Sequence, residues 1–397
     1  MKTKNGKQRT ETRKTENREQ SAKKKFPFSV SLLSVLCLLS SVFSPTWAKS
    51  IGTGTIKVEL QNNALIFDNF VVTFQRTLRI PDDGKEYPLP PGLGRFPIYK
   101  VSDFKHKVPQ EWAKEGGVFI PMYQREAMWI SFGGEEWRPR AVKTGVGGIN
   151  ALNGEPWNLS LQQTPSQNYL VAPRPQEWID GIKEGKNTIR QFVAMPLGGG
   201  FTVSEQVGGK DKTTKGGLKI SVFNPKKGKF KKPPPKTSLF GSSPSLYMTP
   251  RLLDKQAVSS PEMGIAAGGK MTQKIYSDPY GITTWNEEKF GVIMVHIVNS
   301  EQFEAITGEK APESPITKKD YEQFRHPWFG LYDEEYKDIK SQEKLKKVKS
   351  VRQIEKEKGV KTPPDEESIP VKKIIKYKKQ KSSETSAPPG RQPEASQ

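Results

Sequence analysis

Thr55-Ile56-Lys57-Val58-Glu59-Leu60 alternates apolar and polar side chains with a period of two, and Phe70-Val71-Val72-Thr73-Phe74-Gln75-Arg76 repeats part of that pattern. Successive side chains of a strand point to opposite faces, so this alternation marks strands with one buried face. Asp82-Asp83-Gly84 follows with turn chemistry, and Pro88-Leu89-Pro90-Pro91-Gly92 reads as an extended connection. Further strand-like runs lie at 117–123, 127–132, 141–146, 169–172, 188–195, 218–223, 271–276 and 290–298, most of them separated by Gly, Pro or Asn. Helical signals are short. Pro109 and Pro175 open runs at 109–114 and 175–184, as a first helical turn allows. Ser300 precedes Glu301-Gln302-Phe303-Glu304-Ala305-Ile306, with Gly308 as a stop. Many short strands with single-turn helices imply a mainly β fold, with a sandwich or barrel-like core.

The flanks divide the chain into three parts. Lys23-Lys24-Lys25 precede an uncharged run from Phe26 to Phe43; Pro45 then breaks any helix, and Thr46-Trp47-Ala48 offers small residues around a cleavage point. This is the layout of a signal peptide over 1–48 and implies a secreted or periplasmic protein. The alternative is an uncleaved membrane anchor over 26–43, a run shorter than the roughly 20 apolar residues of a span and diluted by five serines. The single cysteine, Cys37, lies inside this leader, so residues 49–397 offer no disulfide, thiolate nucleophile or cysteine-based metal site. Residues 49–336 read as the β-rich domain, interrupted at 224–250 by a basic loop carrying Lys226, Lys227, Lys229, Lys231, Lys232 and Lys236 around three prolines. Residues 337–397 read as a charged, largely disordered tail, with an exposed helix over 342–358.

Of the net charge of +21, residues 1–48 hold +7, 337–397 hold +8 and 49–336 only +6. Basic character concentrated at the two ends is not the footprint of a nucleic-acid-binding face. It suits instead an anionic envelope polymer, a lipid surface or an acidic protein as partner.

Few residues carry a chemical signature. Arg125-Glu126, beside Trp129, is a charge pair placed to anchor a ligand at a strand end or to form a structural ion pair. Arg190-Gln191, followed by Pro196-Leu197-Gly198-Gly199-Gly200, combines an anion-matching fork with a glycine-rich turn, but no nucleotide-phosphate loop motif is present. The histidines are His106, His296 and His326, at no metal-ligand spacing; His296 falls within the apolar run 292–298. The carboxylate pairs Asp82/Asp83, Glu135/Glu136 and Glu177/Asp180 have no linear mark of a hydrolase, and neither a Gly-x-Ser-x-Gly elbow nor a Ser-x-x-Lys motif appears after residue 48. No cofactor and no metal site is expected.

Two longer stretches, Gly116-Gly117-Val118-Phe119-Ile120-Pro121-Met122-Tyr123-Gln124-Arg125-Glu126-Ala127-Met128-Trp129 and Arg190-Gln191-Phe192-Val193-Ala194-Met195-Pro196-Leu197-Gly198, resemble a family of uncharacterised bacterial and fungal proteins. Phe74-Gln75-Arg76-Thr77-Leu78-Arg79-Ile80-Pro81 and Gly264-Ile265-Ala266-Ala267-Gly268-Gly269-Lys270-Met271 support that resemblance, which spans roughly residues 65–335. It implies no activity or cofactor. The leader, the aromatic-rich β texture and the scarcity of catalytic motifs favour a non-catalytic binding or structural domain of the cell envelope or exterior. The alternative is a hydrolase-type enzyme with a site around Arg125, Glu126 and Arg190.

Overall fold

Strand Val58–Gln61 pairs antiparallel with Ala64–Phe67, which pairs with Phe70–Thr77. Asn62, Asn63 and Asp68 make the intervening turns at positive φ, a conformation that Asn and Asp tolerate best among side-chain-bearing residues. The computed structural model to which these strands belong describes residues 50–208, 215–231, 262–313, 316–319, 327–331, 336–371 and 374–377. The leader with Cys37, the stretch 232–250 of the basic loop, His326 and the end of the tail lie outside the described residues.

From Phe70–Thr77 the ladder passes to Ala127–Gly134, then to Thr188–Pro196, to Glu262–Thr272 and to the long strand Trp285–Asn299, antiparallel at each step. Thr53–Gly54 pairs with that long strand, and the adjoining Ile51 N–H donates to the Val58 carbonyl at 2.9 Å. The hydrogen-bond path returns to its first strand, so the sheet closes as a barrel-like ring. Inward positions, among them Leu65, Phe74, Ile130, Phe192, Ile265 and Ile293, share one apolar cluster. Leu218–Pro225 and then Arg140–Val146 extend the sheet from one edge of the long strand, while Val118–Met122 runs parallel along the other.

The outer wall is covered in patches. Helices Gln110–Glu115 and Ser300–Thr307 contribute Trp112 and Phe303, which lie over Phe119 and Val298. Asn299 caps the second helix by accepting from Glu301 N–H at 3.1 Å, and Gly308 closes it at φ 77°. A second patch, Ala127, Val193, Met195 and Ala266, is covered by Val351.

That last contact changes the reading of the C-terminal segment. The charge-rich stretch from 337, expected as a largely disordered tail with an exposed helix, is structured and packed on the barrel to 371, and beyond it Ile374–Tyr377 pairs parallel with Trp328–Leu331. Helices Glu343–Lys346 and Val351–Glu357 replace the single helix expected over 342–358, and Leu345, Val348, Val351 and Ile354 are buried. Ser350 starts the second helix with a capping box to Gln353. Asp338 reaches the fully buried Lys183, whose Nζ donates to both carboxylate oxygens at 2.7 and 2.6 Å.

Two local expectations also fail. No helix forms over 175–184; Trp178–Ile179 and Gly181–Gly185 are strands, because pairing with neighbours overrides the proline signal. A Cβ at Gly181 would collide with the Arg190 carbonyl, so the close strand approach requires glycine there. The strand expected over 271–276 lies earlier, at Glu262–Thr272, where Gly264, Gly268 and Gly269 weaken the alternation that would have revealed it. At the start of the basic loop, Phe230 packs edge-on against Tyr280, with ring centroids 5.0 Å apart. Among the described residues no helix is long and apolar enough to cross a membrane.

If residues 336–357 belong to the folded core, Leu345→Ala is expected to cost about 2–5 kcal/mol in denaturant unfolding. Val360→Ala, at an exposed position, should change stability by less than about 0.5 kcal/mol. Equal, small effects would mean that the segment contributes nothing to the fold.

Candidate functional site

Between strands Val118–Met122 and Ala127–Gly134 the chain turns through Tyr123, Gln124 and Arg125. Arg125 adopts φ 72°, in the left-handed region, with its N–H donating to the Ala194 carbonyl at 2.8 Å. For a residue with a side chain that conformation costs on the order of 1 kcal/mol and persists only where the surroundings fix it. Glu126 fixes it here. Its Oε1 accepts from Arg76 Nε at 2.7 Å and Nη2 at 2.6 Å, and its Oε2 accepts from the Tyr123 N–H at 2.9 Å. Glu126 is 1 % exposed. Burial pushes its carboxyl above the usual range, opposed by the charge of Arg76 and the Tyr123 hydrogen bond.

Arg79 lies just beyond Phe70–Thr77. The fully buried Gln191 side chain grips both of its neighbours: Oε1 accepts from Ile80 N–H at 2.7 Å, and Nε2 donates to the Leu78 carbonyl at 2.9 Å. Held this way, Arg79 reaches the same carboxylate as Arg125. Asp365 Oδ2 accepts from Arg79 Nη1 at 2.7 Å and from Arg125 Nε at 2.9 Å, while Asp365 Oδ1 accepts from Arg125 Nη2 at 2.7 Å. Glu366 pairs with Arg79, accepts from Arg125 Nη2 at 3.2 Å, and takes the Asp82 N–H at 2.7 Å. Glu355 adds a further ion pair to Arg125.

Two guanidiniums thus sit side by side under three carboxylates. Burial, and then the like charge of Arg125, push Arg79 below its usual value, against the pull of Glu366 and Asp365. Burial raises Glu366 despite Arg79. For Asp365 burial acts upward too, but the Arg125 hydrogen bonds and the Arg79 charge outweigh it, and its carboxyl ends below the ordinary range. Beside the cluster is a cavity of about 770 Å³, bounded by residues 77–79, 124–127, 316–319, 363–365, 367 and 369.

Of the residues singled out from the sequence, Arg125 and Glu126 are at this site and Gln191 positions it from behind. Arg190 lies alongside, donating to Glu184 at 3.0 Å and to Asp82 at 3.3 Å, and Asp82 in turn accepts from the Ser350 hydroxyl. Trp129 is elsewhere: fully buried in the barrel core, edge-on to Trp178 with centroids 6.2 Å apart, it cannot stack on a ligand. His296 is also separate. It stacks on Trp112 at 4.5 Å and shares a hydrogen bond of 3.0 Å with the Gly116 carbonyl. Sequence reading missed Arg76, Arg79 and all three carboxylates of the C-terminal segment 337–371, which straps the barrel; the two arginines at a spacing of three, at the end of an alternating strand and just beyond it, were the available signal. Among the described residues no three His, Cys, Asp or Glu side chains gather as a metal site requires. No family model matches the chain, and neither a curated protein nor a solved structure matches it.

Arg76→Ala strands a buried carboxylate and is expected to cost about 3–5 kcal/mol in urea unfolding, whereas the double change Arg76→Met/Glu126→Leu should cost less. The docked carboxylates also make a pH prediction. Because Glu366 is raised, docking takes up a proton and strengthens as pH falls through its window. Because Asp365 is depressed, docking weakens as pH falls further, since the undocked form binds the proton first. Amide exchange over 363–369, corrected for its intrinsic pH dependence, should be slowest near the ordinary carboxylate values of about 4 and faster on either side. A monotonic profile would contradict the opposed shifts.

Proposed function

We propose that this chain is an exported, non-catalytic binding domain, secreted or periplasmic, that recognises anionic ligands through Arg79 and Arg125. One observation carries the reading: among the described residues, every ion pair made by these two arginines goes to the C-terminal strap, and none to the barrel that positions them. Planar guanidiniums side by side offer the forked donors that match carboxylate and phosphate oxygens. The neighbouring cavity gives a ligand room to enter, with Lys318 and Lys319 on its wall.

The hydrolase reading has less support. Both oxygens of Glu126 already accept hydrogen bonds from Arg76 and the Tyr123 backbone, so that carboxyl serves the turn. His296 belongs to another cluster.

The purified chain should be retained on isolated cell-envelope fractions and released by salt, as contacts to a polyanion require. Arg79→Gln/Arg125→Gln should elute at clearly lower salt than Lys226→Gln/Lys227→Gln, which removes the same charge outside the site. Equal elution of the two double variants would sink the reading.

A further inference from the structure

We propose that Arg79 and Arg125 form a receptor site for a short, proline-led acidic turn of a partner protein, and that residues 363–369 are the resident occupant which that segment displaces. The inference rests on the binding reading above and narrows its ligand from any anion to a peptide.

The occupant itself defines the ligand chemistry. Pro364–Glu366 form a single 3-10 turn between Pro363 (−70°, 155°) and Glu367 (−73°, 142°), and from that turn Asp365 and Glu366 present adjacent carboxylates to the two arginines. Pro363 and Pro364 fix their own φ and so start this turn with little conformational freedom left to lose on binding, and arginine forks match its carboxylates.

The occupant is also held differently from the rest of the strap. Through Ile354 the strap is anchored by apolar burial at Leu345, Val348, Val351 and Ile354. Residues 358–362 are exposed, with Val360 at 47 % and Gly359 at φ 73°. Beyond them Glu366 alone is buried among residues 359–371, and Asp365 is 37 % exposed at its side chain. The two acids are therefore retained by charge pairs in a segment held between an exposed linker and the paired strand Ile374–Tyr377, with Ile369 half-buried on the core, while the helix before it stays bolted to the barrel. A segment held this way can swing out as a loop with both of its ends still attached, without unfolding the domain.

Tethering gives the segment a high effective concentration, of millimolar order for a short linker, so a competing peptide binds the native chain with its apparent affinity reduced by the cis occupant. That supplies the test. The probe is a labelled peptide with the sequence of residues 361–371, titrated against the full chain. Asp365→Asn/Glu366→Gln in the chain should raise probe affinity at least about tenfold. A ten-residue Gly/Ser insertion after Val360 keeps every contacting side chain and should raise it several-fold by diluting the tether. Arg125→Gln in the insertion background should abolish the gain, and a probe with both acids amidated should not bind. The same affinity for native, substituted and lengthened chains would overturn the proposal, as would a gain that survives loss of Arg125. Concentration-dependent dimers of the native chain, abolished by Asp365→Asn/Glu366→Gln, would put a second copy in the partner's place and overturn the assignment to another protein. Absent peptide binding with Arg79- and Arg125-dependent envelope retention intact would overturn this narrowing while leaving the broader binding reading standing.

Discussion

A buried cation needs an anion or, as for Lys143 with Asn158 and the Ser160 carbonyl, neutral acceptors, and much of this structure follows from that constraint. The barrel wall carries Lys183, Arg190, Arg79 and Arg125 at buried or nearly buried positions. Only Arg190 finds part of its answer within the sheet, in Glu184. For Lys183 the carboxylate is Asp338; for Arg79 and Arg125 the carboxylates are Glu355, Asp365 and Glu366. An unpaired charge at such a depth would cost several kcal/mol, so the C-terminal segment must fold back or the cations must be rehydrated.

The strap meets that demand with two kinds of adhesion. Its first half behaves as core, with apolar side chains on the outer face of strands Thr188–Pro196 and Glu262–Thr272 and with a capping box that starts its helix at a fixed point. Its second half contributes less apolar burial, with Ile369 and Val371 half-buried against the core, and works mainly through charge pairs and hydrogen bonds. Asp82 and Asp83 tie this half to the turn after Arg79: the Asp82 N–H donates to Glu366, and Asp83 takes a hydrogen bond from Ser368.

Much of the architecture was legible in the sequence because period-two alternation is a local signal: Phe70–Thr77 and Thr188–Pro196 lie within a residue or so of where it placed them. Where glycines thinned the alternation, as in Glu262–Thr272, or where proline suggested a helix that strand pairing overrode, as at 175–184, local signals failed. The strap was missed for a different reason. Its apolar residues recur every third position, at 345, 348, 351 and 354, but each lies between polar or charged neighbours, and composition outweighed spacing. At the site, Arg125 and Glu126 stood out as neighbours in the chain. Arg79 did not, because its role depends on Gln191 and on acids almost 290 residues away, and no linear pattern records a pairing of that length.

Arg79 and Arg125 therefore serve two ends that pull in opposite directions. For stability they need carboxylates at all times; for recognition those carboxylates must be replaceable. Dividing the strap at the exposed stretch 358–362 reconciles the two. Apolar residues before it fix the strap to the barrel whatever occupies the arginines, and the acids after it keep them paired until another anion takes over. Glu355, which lies before the division, stays on Arg125 in either case, so one of the two cations never loses all its compensation. The exchange then trades one set of charge-assisted hydrogen bonds for another, and its cost is set by the linker rather than by desolvation of a bare guanidinium.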